Sequence, residues 1–327
     1  MATGSLYFHS PCFDGIASAV LAWDFLEQRD GWETPVLHPV TYDIRQTWLE
    51  KALDRPAAVV DFLYHQDSTF WADHHLTTFL TDEAQADFQQ QPAHKGRLLI
   101  YDQHADSCAG LLWRRLASDF GHRNLRYAQL VQWAEKIDAA RYASVEEAIT
   151  STAPALRLSL GFTMGHSEGY IETLVRELRD KPLEEVASLP EPTTRFKRAR
   201  DLVEAGLDHF KRSARLENDG IVVFDVDAQD AIVSRYAPYH FFPHARYSAG
   251  IIRWKGGARI TAMRNPWREF PSVPLGRLAE TLGGGGHERV GSIVLKGDRI
   301  ADAESILARL LEGIRRSEKN NPDPSVA

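Results

Sequence analysis

An aspartate followed at once by two histidines, Asp73-His74-His75, closes the apolar run Phe70-Trp71-Ala72. Carboxylate and imidazole groups are ligands for divalent ions, and here three crowd onto one short segment. Others flank it: His9-Ser10-Pro11-Cys12-Phe13-Asp14-Gly15 upstream, Asp61 after Val59-Val60, and Asp138 after Ile137. Several carboxylates gathered in a cleft do not stay ionised together without a compensating cation. A divalent ion supplies that compensation and lowers the pKa of a bound water towards neutrality. Two ions about 4 Å apart would serve the attacking and leaving oxygens of an in-line displacement at phosphorus. The set points to a metal-dependent phosphoesterase. Each acid taken alone reads as well as a helix cap or an ion-pair partner. Placing several of them at predicted strand and helix ends is what argues for a shared site.

A second signal is Gly283-Gly284-Gly285-Gly286-His287. No Gly-Lys-Ser/Thr follows, so it is not a P-loop. A predicted helix precedes it instead of a strand, so it is not a dinucleotide fingerprint. Backbone N–H groups at Gly284, Gly285 and Gly286 could approach a phosphate closely, with His287 beside them; a plain flexible turn is the alternative. Arg264 and Asn265 end a predicted strand just before this run. From Arg235 to Arg289 there are nine basic residues against three acidic ones, inside a chain of net charge −7. Arg264 and Asn265 are therefore the candidates for a substrate clamp, because Arg suits bidentate phosphate contacts. The aromatics Tyr236, Tyr239, Phe241, Phe242 and Tyr247 read as core packing ahead of base stacking.

The elements that would position these residues alternate. Leu6 to His9 reads as a strand, and a helix opens near Asp14 with Ile16, Ala19, Val20, Trp23 and Leu26 on one face. Val36–Tyr42, Ala57–Asp61, Phe70–Asp73 and Arg97–Tyr101 read as further strands. Helices are expected at Arg45–Leu53, Ser107–Asp119 and Tyr127–Ala140. This rhythm implies an α/β fold: an N-terminal, mainly parallel sheet with helices on both faces. Ligands of such sheets sit at the carboxyl ends of the strands, where His9, Asp61 and Asp73-His74-His75 fall. A mostly helical stretch follows, with Thr193-Thr194 as the cap of a long charged connector helix. A smaller C-terminal α/β domain is expected from near Gly220. The expected division is residues 1–190 as the metal-binding domain, 191–217 as the helical connector, 218–316 as the substrate-binding domain and 317–327 as a disordered tail.

The chain has 327 residues, more than one core usually supports, with 43% hydrophobic and 25% charged residues. No run of about 18 apolar residues suggests a membrane span. Two cysteines, Cys12 and Cys108, exclude a disulfide scaffold and suit a reducing cytoplasm, the expected location. The acidic balance favours a phosphate-containing small substrate or short oligonucleotide over long nucleic acid. A second copy of the chain stays open as a partner, and no membrane partner is expected.

These motifs, in this order, resemble the DHH phosphoesterase superfamily: RecJ-like exonucleases, nanoRNases, cyclic-dinucleotide phosphodiesterases and relatives acting on pyrophosphate or polyphosphate. His9, Cys12 and Asp14-Gly15 match its first motif, Asp61 the second, Asp73-His74-His75 the third and Asp138 the fourth. Gly283 to His287 matches the marker of its DHH-associated domain. The resemblance implies a hydrolase using one or two Mn2+ ions, with Mg2+, Co2+ or Zn2+ as alternatives. It implies that Asp14, Asp61, His74 and Asp138 hold one ion and that His9 and Asp61 contribute to a second, so that Asp61 bridges. Asp73 would orient its neighbours and His75 would face the substrate phosphate, with Asp14 and Asp61 counted in the catalytic set. Water held by the cation would attack a phosphodiester or phosphoanhydride in line. Cys12 departs from the pattern, because the family has an acid there. As a thiolate it is a further candidate ligand that would favour Zn2+ or Co2+; as a thiol it leaves that site weak. The competing reading is a non-catalytic scaffold that binds nucleotide or nucleic acid and whose first metal site is degraded at Cys12.

Overall fold

The computed structural model describes residues 3–90, 96–165 and 169–320. The chain forms two compact units, Met1–Tyr142 with Thr152–Phe196, and Ala143–Ser151 with Lys197–Ala327. The first unit runs β1 (Ser5–His9), α1 (Phe13–Asp30), β2 (Val36–Val40), β3 (Ala57–Val60), β4 (Phe70–Asp73), α2 (Asp82–Gln89), β5 (Leu98–Tyr101), α3 (Cys108–Phe120) and α4 (Ala128–Asp138). After α5 (Val145–Thr150), which belongs to the second unit, come α6 (Pro154–Gly161), α7 (Tyr170–Asp180), α8 (Leu183–Val186) and α9 (Pro190–Ser213).

The five strands lie in the order β2-β1-β3-β4-β5 and every pairing is parallel. Side chains alternate between two cores, as strand geometry requires. Leu6, Phe8, Ala58, Val60, Phe70, Ala72 and Ile100 face a core shared with α1, α3, α4 and α7. Tyr7, Val59, Trp71 and Leu99 face the other core, with Trp48, Phe62 and Ala84 of α2. Burial on both faces explains the unbroken apolar strand sequences. The helix α1 is buried from Phe13 to Leu26 and stops at Gly31, whose φ of 72° lets its N–H reach the Glu27 carbonyl.

Two expectations are corrected. No α-helix forms over Arg45–Leu53: one short 3₁₀ turn, Trp48–Glu50, stands there, and another, Tyr42–Ile44, lies just before it. The reason is Trp48, fully buried, whose indole N–H reaches the carbonyls of Leu63 and Tyr64 at 3.0 and 3.2 Å. That tertiary anchor outweighs local helix propensity. The long helix α9 opens at Pro190, ahead of Thr193-Thr194, because proline suits a first turn whose N–H groups have no helical partner.

The second unit continues with β6 (Arg215–Leu216), β7 (Ile221–Asp227), α10 (Ala237–Phe241), β8 (Tyr247–Trp254), β9 (Gly257–Arg264), α11 (Leu275–Glu280), β10 (Gly285–His287), β11 (Val290–Lys296) and α12 (Ala303–Asn320). Its sheet has the order β10-β11-β9-β8-β7-β6, antiparallel except for β7 with β8. One face, with Ile251, Ile260, Ile293 and Leu295, packs on α11 and α12. Tyr236, Tyr239 and Tyr247 are buried. Residues 317–320 are helical, at the end of α12, and the rest of the expected tail lies outside the described residues. Among the described residues no helix is long and apolar enough to cross a membrane.

Candidate metal centre

Strand β1 sits between β2 and β3, so the direction of chain winding reverses between β1 and β3. Adjacent loops diverge at such a switch point and leave a crevice at the carboxyl ends of the strands. His9 ends β1, Asp61 follows β3 directly, and Asp73 ends β4 with His74 and His75 behind it. Asp14 lies in the first turn of α1, and Asp138 is the last residue of α4.

Side-chain ligand atoms from these elements converge. Three groups, each with ligand atoms within 4.8 Å of one another, overlap here: Asp61 with Asp73, His74 and His75; His9 with Cys12 and Asp61; and Asp14 with His74 and Asp138. His74 Nε2 lies 3.3 Å from Asp138 Oδ2 and 3.7 Å from both Asp14 Oδ2 and Asp61 Oδ1. His9 Nδ1 is 3.4 Å from Asp61 Oδ2. The backbone makes this possible at two positions. Asp61 takes φ 54°, a left-handed conformation that aspartate tolerates. Gly15 lies where any Cβ would meet the His9 carbonyl oxygen at 2.0 Å, so α1 can approach β1 only with glycine there.

Surrounding groups fix the orientation of the ligands. Asp14 accepts backbone N–H groups from Cys108 at 2.7 Å and Ala109 at 2.9 Å, at the amino end of α3. Ser107 caps the same helix by accepting from Gly110. The amino end of α3 is thus occupied by the chain's own carboxylate, where the helix dipole favours negative charge. His75 Nδ1 donates to Asp73 Oδ1 at 2.8 Å, and its carbonyl accepts from the Tyr101 hydroxyl.

Charge is poorly compensated. Burial raises the Asp61 carboxyl well above its ordinary range, and the neighbouring Asp14 adds to this. Burial raises Asp14 as well. Asp138 is pushed up to about 6 by burial and by Asp14. Burial brings His9 down to about 4. For His75 burial opposes the charged form, but the hydrogen bond and charge of Asp73 outweigh it and the net shift is upward. Burial, then the charges of Asp14 and Asp138, lift the Cys12 thiol to about 12.

The test of fit for a cation is hydrogen bonding. His9 Nδ1, both oxygens of Asp61, Asp73 Oδ2 and His74 Nε2 are buried without a hydrogen-bond partner. Leaving such atoms unsatisfied costs about 1–3 kcal/mol each, more for charged groups. A divalent cation satisfies lone pairs of this kind and compensates the carboxylates, so the donor set fits one.

The proposed substrate residues lie in the second unit. Gly284 and Gly286 are packed against backbone: a Cβ would meet the Ser292 oxygen at 2.3 Å and the Val290 oxygen at 2.2 Å, respectively, whereas Gly285 faces open space. The backbone of His287 ends β10, and its side chain lies outside the described residues. The clamp candidates Arg264 and Asn265 are both buried at the end of β9. Arg264 is buried over the Phe270 ring, donating to the Asn265 and Phe270 carbonyls, and Asn265 donates to the Pro243 and Ala245 carbonyls. Their polar groups hold the loop after β9 together.

Sequence reasoning missed the Ala105 carbonyl, which accepts from His74 Nδ1 at 3.0 Å. A backbone acceptor leaves no trace in residue type. It also missed Tyr42, whose half-exposed ring meets His9 edge-on at 4.8 Å between centroids.

Comparison with family models and with curated proteins found no match. Solved structures do resemble the chain. A pGpG-specific phosphodiesterase, PggH, from Vibrio cholerae is 16% identical with a TM-score of 0.71, covering 95% of this chain and 99% of that one. RecJ from Thermus thermophilus, in complex with Mn2+, is 17% identical with a TM-score of 0.59, covering 98% of this chain and 52% of that one. The DHH domain of a protein described as a member of the s1p family of ribosomal proteins is 12% identical with a TM-score of 0.58, covering 95% and 86%. With the β2-β1-β3-β4-β5 sheet, Asp73-His74-His75 behind β4 and a mixed second sheet in place, the chain has the fold of the DHH proteins.

Proposed function

We propose that this protein is a metal-dependent phosphodiesterase acting on short nucleotide substrates. The observation that carries the reading is the convergence of buried, unpartnered oxygen and nitrogen atoms from Asp61, Asp73, His9 and His74 at the switch point of the parallel sheet. The likeness in fold to a pGpG-specific phosphodiesterase and to manganese-bound RecJ supports it. Asp14, Asp61, His74 and Asp138 would hold one ion, and His9 with Asp61 a second, with Cys12 beside it. A bound Mn2+, or Mg2+, would supply Lewis acidity towards a phosphoryl oxygen and a lowered pKa for water.

The chain's own groups do the rest. Asp73 fixes the His75 ring through Nδ1, leaving Nε2 to hold or deliver a proton at a phosphoryl oxygen. The His75 side chain is 32% exposed and that of Asp138 28%, so both are open to a substrate, while Asp14 and Asp61 are buried. The amino end of α3 holds Asp14 in place. Gly285, open and on the edge strand β10, offers backbone to a phosphate.

Cys12 favours the scaffold reading, because a thiol held neutral is a poor ligand for a hard ion. One assay separates the two. Protein prepared with Mn2+ is offered a 5′-phosphorylated dinucleotide, a cyclic dinucleotide, a 3′,5′-bisphosphonucleoside, pyrophosphate and polyphosphate. Metal-dependent release of nucleoside monophosphate from the dinucleotide is expected. No turnover of any substrate, with no bound metal by elemental analysis, would establish the scaffold.

A further inference from the structure

Strand β2 is an edge of the parallel sheet in the first unit, and a cavity of about 790 Å³ runs beside it. That volume suits a small molecule. The walls come from β2, from segment 41–51 and from α7, and none of the metal-binding residues lines them.

The backbone of β2 makes this edge rich in acceptors. Val36 donates its N–H to Gly4 and Val40 accepts from Ser10, both on the side of β1. Alternation then turns the backbone groups of Leu37 and Pro39 outward, into the cavity that these residues line. Proline has no N–H, so the edge presents two carbonyls and one donor. Among the described residues neither carbonyl has a hydrogen-bond partner. The missing donor also blunts the edge against an added strand, so a small molecule fits here and an extended peptide does not.

The side chains point to the same chemistry. Half-buried Glu172 of α7 and exposed Glu50 line the cavity, and among the described residues neither has an ion-pair partner. Against them the lining sets Lys51, which is exposed. His38 stacks on Tyr7 at 4.3 Å between ring centroids, and burial holds its pKa below the ordinary value, so the imidazole adds no charge at neutral pH. Leu37, Val40 and Ile44 supply apolar wall between the acceptors. The outward carbonyls of Leu37 and Pro39 are about 6.5 Å apart along the strand. Spaced acceptors and carboxylates, separated by aliphatic surface, complement ammonium groups joined by methylene chains.

We propose that this edge cavity binds a linear polyamine, with its ammonium groups on Glu172, Glu50 and the outward carbonyls of β2 and its methylene chain along Leu37, Val40 and Ile44. Ile44 belongs to the turn whose Tyr42 ring meets His9, so the occupant sits one turn of chain from the metal centre without using its ligands. The site does not depend on hydrolysis.

The test is titration calorimetry of the full chain with spermidine, in EDTA and again with excess Mn2+. Saturable binding is expected in both, weaker as salt rises. Glu172→Gln and Glu50→Gln should each weaken it about three- to fivefold, and Glu172→Lys by about tenfold or more. Lys51→Gln should tighten it by about threefold, a change that misfolding does not produce. Glu204→Gln, at an exposed acid of α9, should leave it unchanged, which separates a site from the general pull of a chain of net charge −7. Equal melting temperatures show that the variants fold. No saturable binding, binding indifferent to the cavity substitutions, or binding that Glu204→Gln weakens as much as Glu172→Gln does overturns the proposal. So does binding that excess Mn2+ abolishes, because the amine would then be held by the carboxylates of the metal centre. Failure of the phosphodiesterase reading shows up in the turnover assay alone and leaves this result untouched.

Discussion

His74 Nδ1 donates to the carbonyl of Ala105 at 3.0 Å, which fixes the tautomer of the ring. Its Nε2 then faces the carboxylates of Asp14, Asp61 and Asp138 with a lone pair, an arrangement that suits a ligand and is repulsive without a positive charge between the groups. A replacement that cannot ligate should therefore remove the ion. His74→Ala is expected to lower Mn2+ affinity by at least about 10–100-fold, the scale of even outer-sphere losses, as read by titration calorimetry on folded protein. Unchanged affinity would remove His74 from the ligand set.

Asp61 takes part in two of the three ligand clusters and lies near His9, His74 and His75. Asp61→Asn keeps the size of the side chain and tolerates the left-handed backbone. Phosphodiesterase activity should fall by about 10³-fold or more, since cation chemistry is worth several kcal/mol. A loss smaller than that of Asp73→Asn or Asp138→Asn would deny Asp61 the bridging place.

The same variant gives a pH test in metal-free protein. The Asp61 carboxyl is raised in the fold, chiefly by burial, so the folded state holds its proton over a window in which the unfolded chain has released it. Stability then falls as pH rises through that window. His9, held down to about 4 by burial, works in the opposite direction, so the informative quantity is a difference. In EDTA, Asp61→Asn should be more stable than wild type, by a gap that widens as pH rises from about 4, the ordinary carboxylate range. Added Mn2+ should reverse the order. A gap that is constant with pH, by thermal scans, would contradict the buried-carboxylate account.

Cys12 stands beside His9 and Asp61 with its thiol pushed up to about 12. Cys12→Asp should raise Mn2+ affinity and Mn2+-dependent turnover several-fold, because a carboxylate is the harder ligand. Turnover that stays level or falls would show that the thiol is not what limits this position.

The glycines separate by what surrounds them. Gly15→Ala would drive a Cβ to 2.0 Å from the His9 carbonyl oxygen and should cost about 1–3 kcal/mol or more in chemical denaturation, with loss of bound metal. Gly285→Val enters open space, so stability should hold within about 0.5 kcal/mol while KM for the dinucleotide rises. A stable Gly285→Val with unchanged KM would take the edge of β10 out of substrate binding.

Much of this architecture was legible because it follows from burial. Strands covered on both faces must be apolar throughout, so Ala57-Ala58-Val59-Val60 and Phe70-Trp71-Ala72 announce themselves, and acids directly behind them stand out. A helix with a local start signal was legible too: the expected segment Ser107–Asp119 is α3, with Ser107 as its cap. What escaped depends on contacts distant in sequence. Trp48 is held by carbonyls some fifteen residues away, and that prevents the helix its neighbours favour. The packing of the Arg264 guanidinium over Phe270, with a hydrogen bond to its carbonyl, is likewise a contact that residue type does not announce. The Ala105 carbonyl and the left-handed turn at Asp61 are properties of the backbone, and side-chain identity does not encode them.

The most direct measurement is an anomalous-difference map from crystals soaked in Mn2+, collected at the manganese edge. The account predicts a peak within ligand distance of Asp61 and His74, with Asp14 and Asp138 around it, and a second, weaker one towards His9 and Cys12. A protein that takes up Mn2+ only elsewhere, with these side chains bare, would contradict it.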